Sequence, residues 1–380
     1  MPDTGQQIDD DLENFDHQDV DLDEDESIIQ PFDPELIRVE TRPMTIDLLL
    51  QRIKYEELDL APDFQRKGGI WNQLTKSRLI ESILIRIPLP AFYMDATNED
   101  KWVVIDGLQR LTTLKLFVID KSLRLSNLEF LTQLEGKTFD DLPRNLQRRI
   151  IETQITVYLI EKGTPIAVKF NIFKRINTGG LPLSLQEIRH ALNQGKSTKL
   201  LKNLADSKEF REVMYGSISG NRMLDREFVL RFLAFVIFPY SEYQATEFDG
   251  FLSEVMTAIN KMSDQEINDL ETKFKNAMQT ANKIFGNYAF RKRFSMHEKR
   301  KPVNKALFES WSVNLSKLSY EQTAVLVERK EELLSKFMML MNGQEEEPSF
   351  DASISQGTGD LSKVKRRFSA IEKLIKEVLG

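Results

Sequence analysis

Residues 101–113 carry the clearest potential for chemistry in this sequence. The run KWVVIDGLQRLTT places a short apolar stretch before Asp106 and Gly107, and leucines at helical spacing follow. A strand that turns through glycine into a helix start presents free backbone N–H groups at the positive end of the helix dipole, which suits a phosphate or another anion. Gln109 and Arg110, in the first helical turn, can reach the same ligand. An ordinary turn with an exposed Arg110 would leave the same pattern.

A second segment, residues 169–191, combines basic side chains with a glycine pair. Aromatic residues at helical spacing predict a helix that ends at Asn177 and at the two glycines beginning with Gly179. Lys174, Arg175 and Asn177 beside this flexible pair suit closure over an anion. An ordinary corner between two helices would use the same residues.

A third segment, residues 61–71, places Gln65, Arg66 and Lys67 on a loop before the next helix. Basic loop residues are commonly just solvated, so this segment alone is weak evidence for a site.

Together these segments resemble the family that forms the N-terminal part of GmrSD-type modification-dependent restriction systems, which is distantly related to ParB and sulfiredoxin. The resemblance covers about residues 40–192 and rests on four motifs in the family's order: Phe64-Gln65-Arg66 with Trp71, residues 79–93, Asp106-Gly107-Leu108-Gln109-Arg110, and residues 175–189. The family signature is Asp-Gly-Gln-Gln-Arg, so Leu108 replaces its first glutamine. If that glutamine contacts nucleotide or water in relatives, hydrolysis here would be reduced or lost.

The resemblance implies a regulatory protein of a bacterial DNA-defence system that binds a nucleoside triphosphate and hydrolyses it slowly. Asp106 would bind Mg²⁺ or orient water, Gln109 would position water or a phosphate oxygen, and Arg110 would hold phosphates. The other residues expected to contact the nucleotide are Gln65, Arg66, Gly107, Lys174, Arg175, Asn177 and Gly179. The implied partners are the nucleotide, DNA, and a separate effector protein or a second copy of the chain.

Two other functions are possible. One is a ParB-like DNA nuclease that uses the same pocket, and the other is a non-catalytic protein- or DNA-interaction module, which Leu108 favours. The three histidines, His17, His190 and His297, do not cluster in the sequence, so no His-Asn-His nuclease domain is expected. No Walker P-loop pattern occurs either, so a nucleotide site would have to use the Gly107 turn.

A strongly basic run at residues 291–301, RKRFSMHEKRK, is the best local candidate for nucleic-acid contact. Six of its eleven residues are Lys or Arg, and Phe290 and Phe294 lie where they could stack on bases. The candidate contacts are Arg291, Lys292, Arg293 and Arg300. A solvated loop between two helices is the alternative.

Composition limits the class of protein. The absence of cysteine excludes disulfides, thiolate zinc sites and a cysteine nucleophile, and it fits a reducing cytoplasm. No apolar run approaches the length of a membrane span, and the acidic N-terminus has the wrong charge for a secretory signal, so we expect a cytoplasmic protein without a membrane partner.

Charge is unevenly distributed along the chain. Residues 1–30 contain 12 acidic and no basic residues, which leaves 47 acidic and 52 basic residues for the remainder, a formal charge of about +5. Such a tail is typical of a solvated disordered segment. The alternative is a nucleic-acid mimic that shields a basic groove.

The pattern as a whole predicts an α+β class: a small ParB/sulfiredoxin-like mixed sheet with helices, followed by an all-α domain. The predicted organisation is a disordered acidic tail (1–34), the nucleotide-binding domain (35–192), a helical domain (195–342), a linker (343–360) and an amphipathic helix (361–380). In the first domain we expect helices over 46–53, 74–86 and 108–120, and strands over 91–94, 101–105 and 154–160.

Overall fold

A computed structural model of the chain describes residues 38–60, 71–176, 183–218, 220–244, 247–343 and 349–380. The described residues form two compact units, with the boundary between Leu192 and Asn193. Several predicted features lie outside the described residues: the acidic tail, Gln65 and Arg66, and Asn177 and Gly179.

The described part of the first unit contains a mixed five-stranded sheet in the order β1-β5-β3-β4-β2. β1 and β5 pair antiparallel, as do β3 and β4, whereas β3 pairs parallel to β5 and β2 parallel to β4. The strands are β1 Val39–Thr45, β2 Leu58–Asp59, β3 Phe92–Asp95, β4 Trp102–Asp106 and β5 Gln154–Ile160.

Helices of this unit lie between and after the strands. α3 continues into a π-helical segment, Lys115–Ile119, so the single helix predicted over 108–120 changes its winding halfway. The helices are α1 Ile46–Lys54, α2 Gln73–Leu84, α3 Leu108–Leu114, α4 Arg144–Ile151, α5 Ile166–Ile176 and α6 Leu185–Leu192.

The sheet is covered by apolar packing on both faces. Ile105 and Ile160 on one face pack with Phe170, Phe173 and Ile188 of α5 and α6. The other face packs against α1 to α4 in a larger core, to which the strands contribute Met44, Phe92, Met94, Trp102, Val104, Ile155, Val157 and Leu159. Two packed faces fix the orientation of each strand, because a one-residue slip would exchange the two sets of side chains.

Buried Glu81 ties α2 to the loop that follows the π-helical segment. Its carboxylate accepts backbone N–H groups from Glu129, Phe130 and Leu131 at 2.7 to 3.0 Å. Burial opposes ionisation of this carboxyl, but the three N–H donors outweigh it and hold the pKa of Glu81 below its ordinary value of 4.5.

We expect Glu81→Gln to lower the free energy of unfolding by about 1–3 kcal/mol at neutral pH, because Gln has no charged acceptor for the three donors. A depressed folded pKa stabilises above the unfolded pKa and loses that effect as pH falls through the folded value. Urea unfolding from pH 7 to 3 should therefore show the difference from wild type shrinking below about pH 4.5. Exposed Glu99→Gln is the control, and a pH-independent difference would contradict the assignment.

The secondary-structure elements of the second unit that are given ranges below are all helices. The helix predicted at the end of the sequence is present, and a short helix, Phe350–Ser353, lies within the segment predicted as a linker. The helices are α7 Lys196–Ala205, α8 Lys208–Met214, α9 Leu224–Ile237, α10 Phe248–Lys261, α11 Asp264–Phe285, α12 Lys305–Leu315, α13 Tyr320–Glu328, α14 Lys330–Asn342, α15 Phe350–Ser353 and α16 Leu361–Leu379. The predicted class, α+β followed by all-α, is confirmed.

A buried charge cluster joins three of these helices. Glu309 of α12 is fully buried and accepts from Arg231 of α9 at 2.7 Å and from Arg367 of α16 at 2.5 Å. Arg231 also donates to Glu227, so both arginines have carboxylate partners. The packing of α16 therefore includes a buried ion pair as well as its apolar stripe.

Glu309→Gln should lower the free energy of unfolding of this unit by about 3–5 kcal/mol, because it leaves Arg367 buried beside a neutral amide. Urea denaturation followed by circular dichroism measures the change. The control is Glu377→Gln, which removes an exposed pair with Lys336 and should change stability by less than about 1 kcal/mol. Equal effects of the two substitutions would contradict the role given to the cluster.

Candidate functional site

The turn after β4 requires glycine. Gly107 has φ of +97°, in the left-handed region, and immediately precedes α3. A Cβ placed on it would lie 2.3 Å from Cδ1 of Phe92, so any other residue would collide with the β3 strand. The backbone at this turn is therefore tightly bent, and the Phe92 ring lies against Gly107.

Arg110 lies directly behind this turn and is only 8% exposed. Its Nη2 donates to the carbonyl oxygen of Ala91 at 3.0 Å and to Oδ2 of Asp106 at 3.1 Å, and its Nη1 donates to the carbonyl oxygen of Pro90. The guanidinium also lies 4.2 Å from the centroid of the Phe92 ring. Burial lowers the pKa of Arg110 below its ordinary value, and Asp106 partly offsets that effect.

The expectation that Arg110 is an exposed side chain is therefore wrong. A helical pattern shows which residues share a face, but it does not show that the start of β3 lies against the first turn of α3. The side chain is enclosed because Pro90 and Ala91, about twenty residues earlier, supply its acceptors.

Asp106 is positioned by an irregularity in the sheet. Met94 pairs with Val104, but the preceding Tyr93 pairs with Asp106, so Ile105 is the extra residue of a bulge. Bulges redirect the side chains that follow them. Here the bulge sets Asp106 directly opposite Tyr93.

The Asp106 carboxylate is held on one side and accessible on the other. Arg110 donates to this carboxylate, yet the Asp106 side chain is 35% exposed. Tyr93 stacks on Tyr158, with ring centroids 4.8 Å apart and planes 19° apart. Burial, Tyr158 and Asp106 together raise the pKa of Tyr93, as expected for a phenol close to a carboxylate. Neither tyrosine was predicted as a site residue, although both lie in predicted strands, 91–94 and 154–160.

The remaining residues of the signature differ in their surroundings. Gln109 is half-buried at the start of α3. Leu108 is 6% exposed and belongs to the larger core, so the residue that departs from the family signature serves as packing in this chain.

Lys174 and Arg175 lie in the last turn of α5, next to Phe173, which packs against Ile105 just before the site. Lys174 is half-buried and Arg175 is exposed. At the start of α6, Ser184 followed three residues later by Glu187 is a sequence pair that predicts a capping box. The structure contains it: Ser184 N–H donates to Glu187 at 2.6 Å, and Glu187 N–H donates to the Ser184 hydroxyl at 3.1 Å.

A buried ion pair beside the site was not predicted. Lys169 of α5 donates to Oδ2 of Asp95 at 2.7 Å and also to the hydroxyl of Thr97. The pair anchors α5 to the end of β3. A lysine four residues before Phe173 has the helical spacing of an inward-facing position, which is the one signal that could have revealed it.

The basic run at residues 291–301 does not form an exposed strip. Arg291 is 2% exposed and donates to the carbonyl oxygen of Lys301 and the hydroxyl of Ser217. Arg293 is buried over the ring of Tyr288. Among the four candidate contacts only Arg300 is exposed.

Lys292 donates to the Ser355 hydroxyl at 2.8 Å and lies 3.2 Å from the carboxylate of Asp351. Phe290 is buried as well. The expected surface of interleaved aromatic and basic side chains is thus wrong for these residues, because guanidinium groups here satisfy carbonyl oxygens of the loop itself. A high density of basic residues in the sequence does not distinguish a nucleic-acid surface from arginines that hydrogen-bond within their own loop.

Within the described ranges, no three or more His, Asp and Glu side chains are grouped to hold a metal ion. In the same part of the chain no helix is long and apolar enough to cross a membrane.

The first unit is thus a small α+β domain organised around a strand, a glycine turn and a helix start. Residues 46–194 match the family model described as GmrSD restriction endonuclease, N-terminal domain, so this stretch is similar to that family. The resemblance inferred from the four motifs is confirmed. This match indicates a component of a restriction-type defence system. No match was found among the curated proteins compared with the chain.

Arg110→Ala should lower the free energy of unfolding by about 1–3 kcal/mol, because Pro90, Ala91 and Asp106 all lose a charged hydrogen-bond donor. Urea denaturation compares it with Arg144→Ala, which removes an exposed arginine of α4. Matching midpoints for the two variants would show that the Arg110 contacts contribute nothing.

Proposed function

We propose that residues 46–194 bind a nucleoside triphosphate at the Asp106–Gly107 turn and hydrolyse it slowly, as the regulatory part of a restriction-type defence system. One observation carries the proposal: a solvent-accessible carboxylate is held by a buried guanidinium beside a glycine turn that opens a helix. A phosphate would approach this turn from the side of Asp106, because the Phe92 ring lies over Gly107.

In this proposal Arg110 has a different part from the one its motif implies. Three acceptors already surround its guanidinium, so it orients Asp106 and the start of β3 rather than extending into solvent. Phosphate contacts then come from the backbone at the start of α3, from Gln109, and from Lys174 and Arg175 in the last turn of α5. Gln65, Arg66, Asn177 and Gly179 remain proposed contacts on the sequence motifs alone.

The residues present fit a bound Mg²⁺. This cation is commonly held by one or two carboxylates, with water and substrate phosphates completing its shell, so Asp106 alone is a sufficient protein ligand. When bound, Mg²⁺ would neutralise phosphate charge and favour attack by water. Asp106 would fix the position of the cation, because the hydrogen bond from Arg110 restricts rotation of the Asp106 carboxylate.

The test is a thermal-shift measurement with ATP, GTP, CTP and UTP in Mg²⁺, on the whole chain and on Asp106→Asn. A nucleotide present at about 100 times its dissociation constant should stabilise the wild type by about 2.7 kcal/mol. Asp106→Asn keeps an acceptor for Arg110 but loses the metal ligand, so the shift should fall. Phosphate release by the wild type reports hydrolysis. Asp140→Asn, at an exposed site paired with Lys121, is the control.

Two outcomes would overturn the proposal. No shift with any nucleotide excludes binding, and an unchanged shift in Asp106→Asn places binding elsewhere. Incubation of supercoiled plasmid with Mg²⁺ or Mn²⁺ and no nucleotide tests the nuclease alternative: cleavage that Asp106→Asn abolishes would favour that function instead.

A further inference from the structure

Four side chains form a row across the sheet and end at the proposed nucleotide site. The backbone register pairs Thr41 with Tyr158, Tyr158 with Tyr93, and Tyr93 with Asp106. Directly paired residues on adjacent strands project from the same face of a sheet. The row therefore runs over β1, β5, β3 and β4, with the two stacked tyrosines at its centre.

The chemistry of this row differs from that of the turn beside it. Thr41 and the two tyrosines carry no charge, and the next pair on the same face, Pro43 with Thr156, carries none either. Thr41 and Thr156 are exposed and Tyr158 is half-buried. Tyr93 is also half-buried and packs against the cluster of Ile105 and Ile160, so the accessible part of the row lies on the side of Tyr158 and Thr41. An uncharged surface of aromatic rings and hydroxyls suits a flat, polar-edged heterocycle better than a phosphate.

The distance from Tyr158 to Asp106 also fits a nucleoside triphosphate. Adjacent strands lie about 4.8 Å apart, so Tyr158 is roughly 10 Å along the sheet from the position of Asp106. An extended nucleoside triphosphate separates its base from its terminal phosphates by a comparable length. A single-stranded nucleic acid is the less suitable occupant, because its backbone needs a basic groove along the stacking platform and this row has no basic residue.

We infer that the Tyr93–Tyr158 pair is the base-binding platform of the nucleotide whose phosphates are held at the Asp106–Gly107 turn. The base stacks on the accessible side of the pair, and the hydroxyl of Thr41 lies where it can contact a base edge. The platform supplies affinity through stacking, which every base offers, and selectivity only through the hydroxyl groups at its rim. This inference rests on the proposed function, since it assigns the second half of the same ligand.

The experiment compares two ligands on the whole chain by isothermal titration in Mg²⁺: the nucleotide that gives the largest thermal shift, and inorganic tripolyphosphate. Tyr158→Leu should weaken nucleotide binding about tenfold or more, within the range for loss of one base–aromatic stack. It should leave tripolyphosphate affinity unchanged, and Tyr158→Phe should keep most of the nucleotide affinity. Tyr55→Leu, at an exposed tyrosine of the same unit, is the matched control.

Each result decides the question. Unchanged nucleotide affinity in Tyr158→Leu, or an equal loss of both ligands, overturns the platform, since the second result indicates a purely structural role. A wild type that binds no nucleotide fails the proposed function itself. Saturation-transfer NMR on the wild type does not depend on the folding of a variant: base protons should receive more transfer than ribose protons, and the reverse order would contradict the platform.

Discussion

The hydrogen bonds from Arg110 to three acceptors hold the chain segments around the Gly107 turn in place. A buried cation is tolerated only where its donors are satisfied, so the guanidinium fixes Asp106, at the end of β4, relative to Pro90 and Ala91, before β3. Lysine could not replace it, because an ammonium lacks the planar set of donors that reaches two carbonyls and a carboxylate together. The position of the carboxylate in the site is therefore a consequence of a buried ion pair rather than of the helix pattern alone.

Phe92 completes this arrangement because its ring lies against both Gly107 and Arg110. The ring occupies the space that a side chain at position 107 would need, and the guanidinium covers the ring. The next residue, Tyr93, is paired with Asp106 through the bulge. One short strand, β3, thus contacts the glycine, the arginine and the aspartate of the motif. Residues close together in the sequence therefore have different surroundings: Gly107 forms the backbone turn, Arg110 is buried, and the carboxylate of Asp106 is accessible.

The class of fold, the strand–turn–helix at Asp106 and the capping box at Ser184 could be predicted from the sequence. Each is encoded by local periodicity or by a pair of residues three apart. It missed β1, whose polar sequence contains Pro43 and follows no apolar alternation; the strand exists because it pairs with β5 over its whole length. It also placed Arg110 and Arg291 in solvent. Both are buried by acceptors that the folded chain brings from distant positions, which charge patterns do not record.

The departure at Leu108 has a physical interpretation once the core is known. Its side chain points into the packing of α3 against the larger core, away from the accessible carboxylate of Asp106. A glutamine in this position would have to bury an amide among apolar groups or find hydrogen-bond partners there, at a cost of about 1–3 kcal/mol if left unsatisfied. Leucine removes that requirement. In this chain Asp106 and Gln109 therefore keep access to solvent, whereas the residue between Gly107 and Gln109 does not.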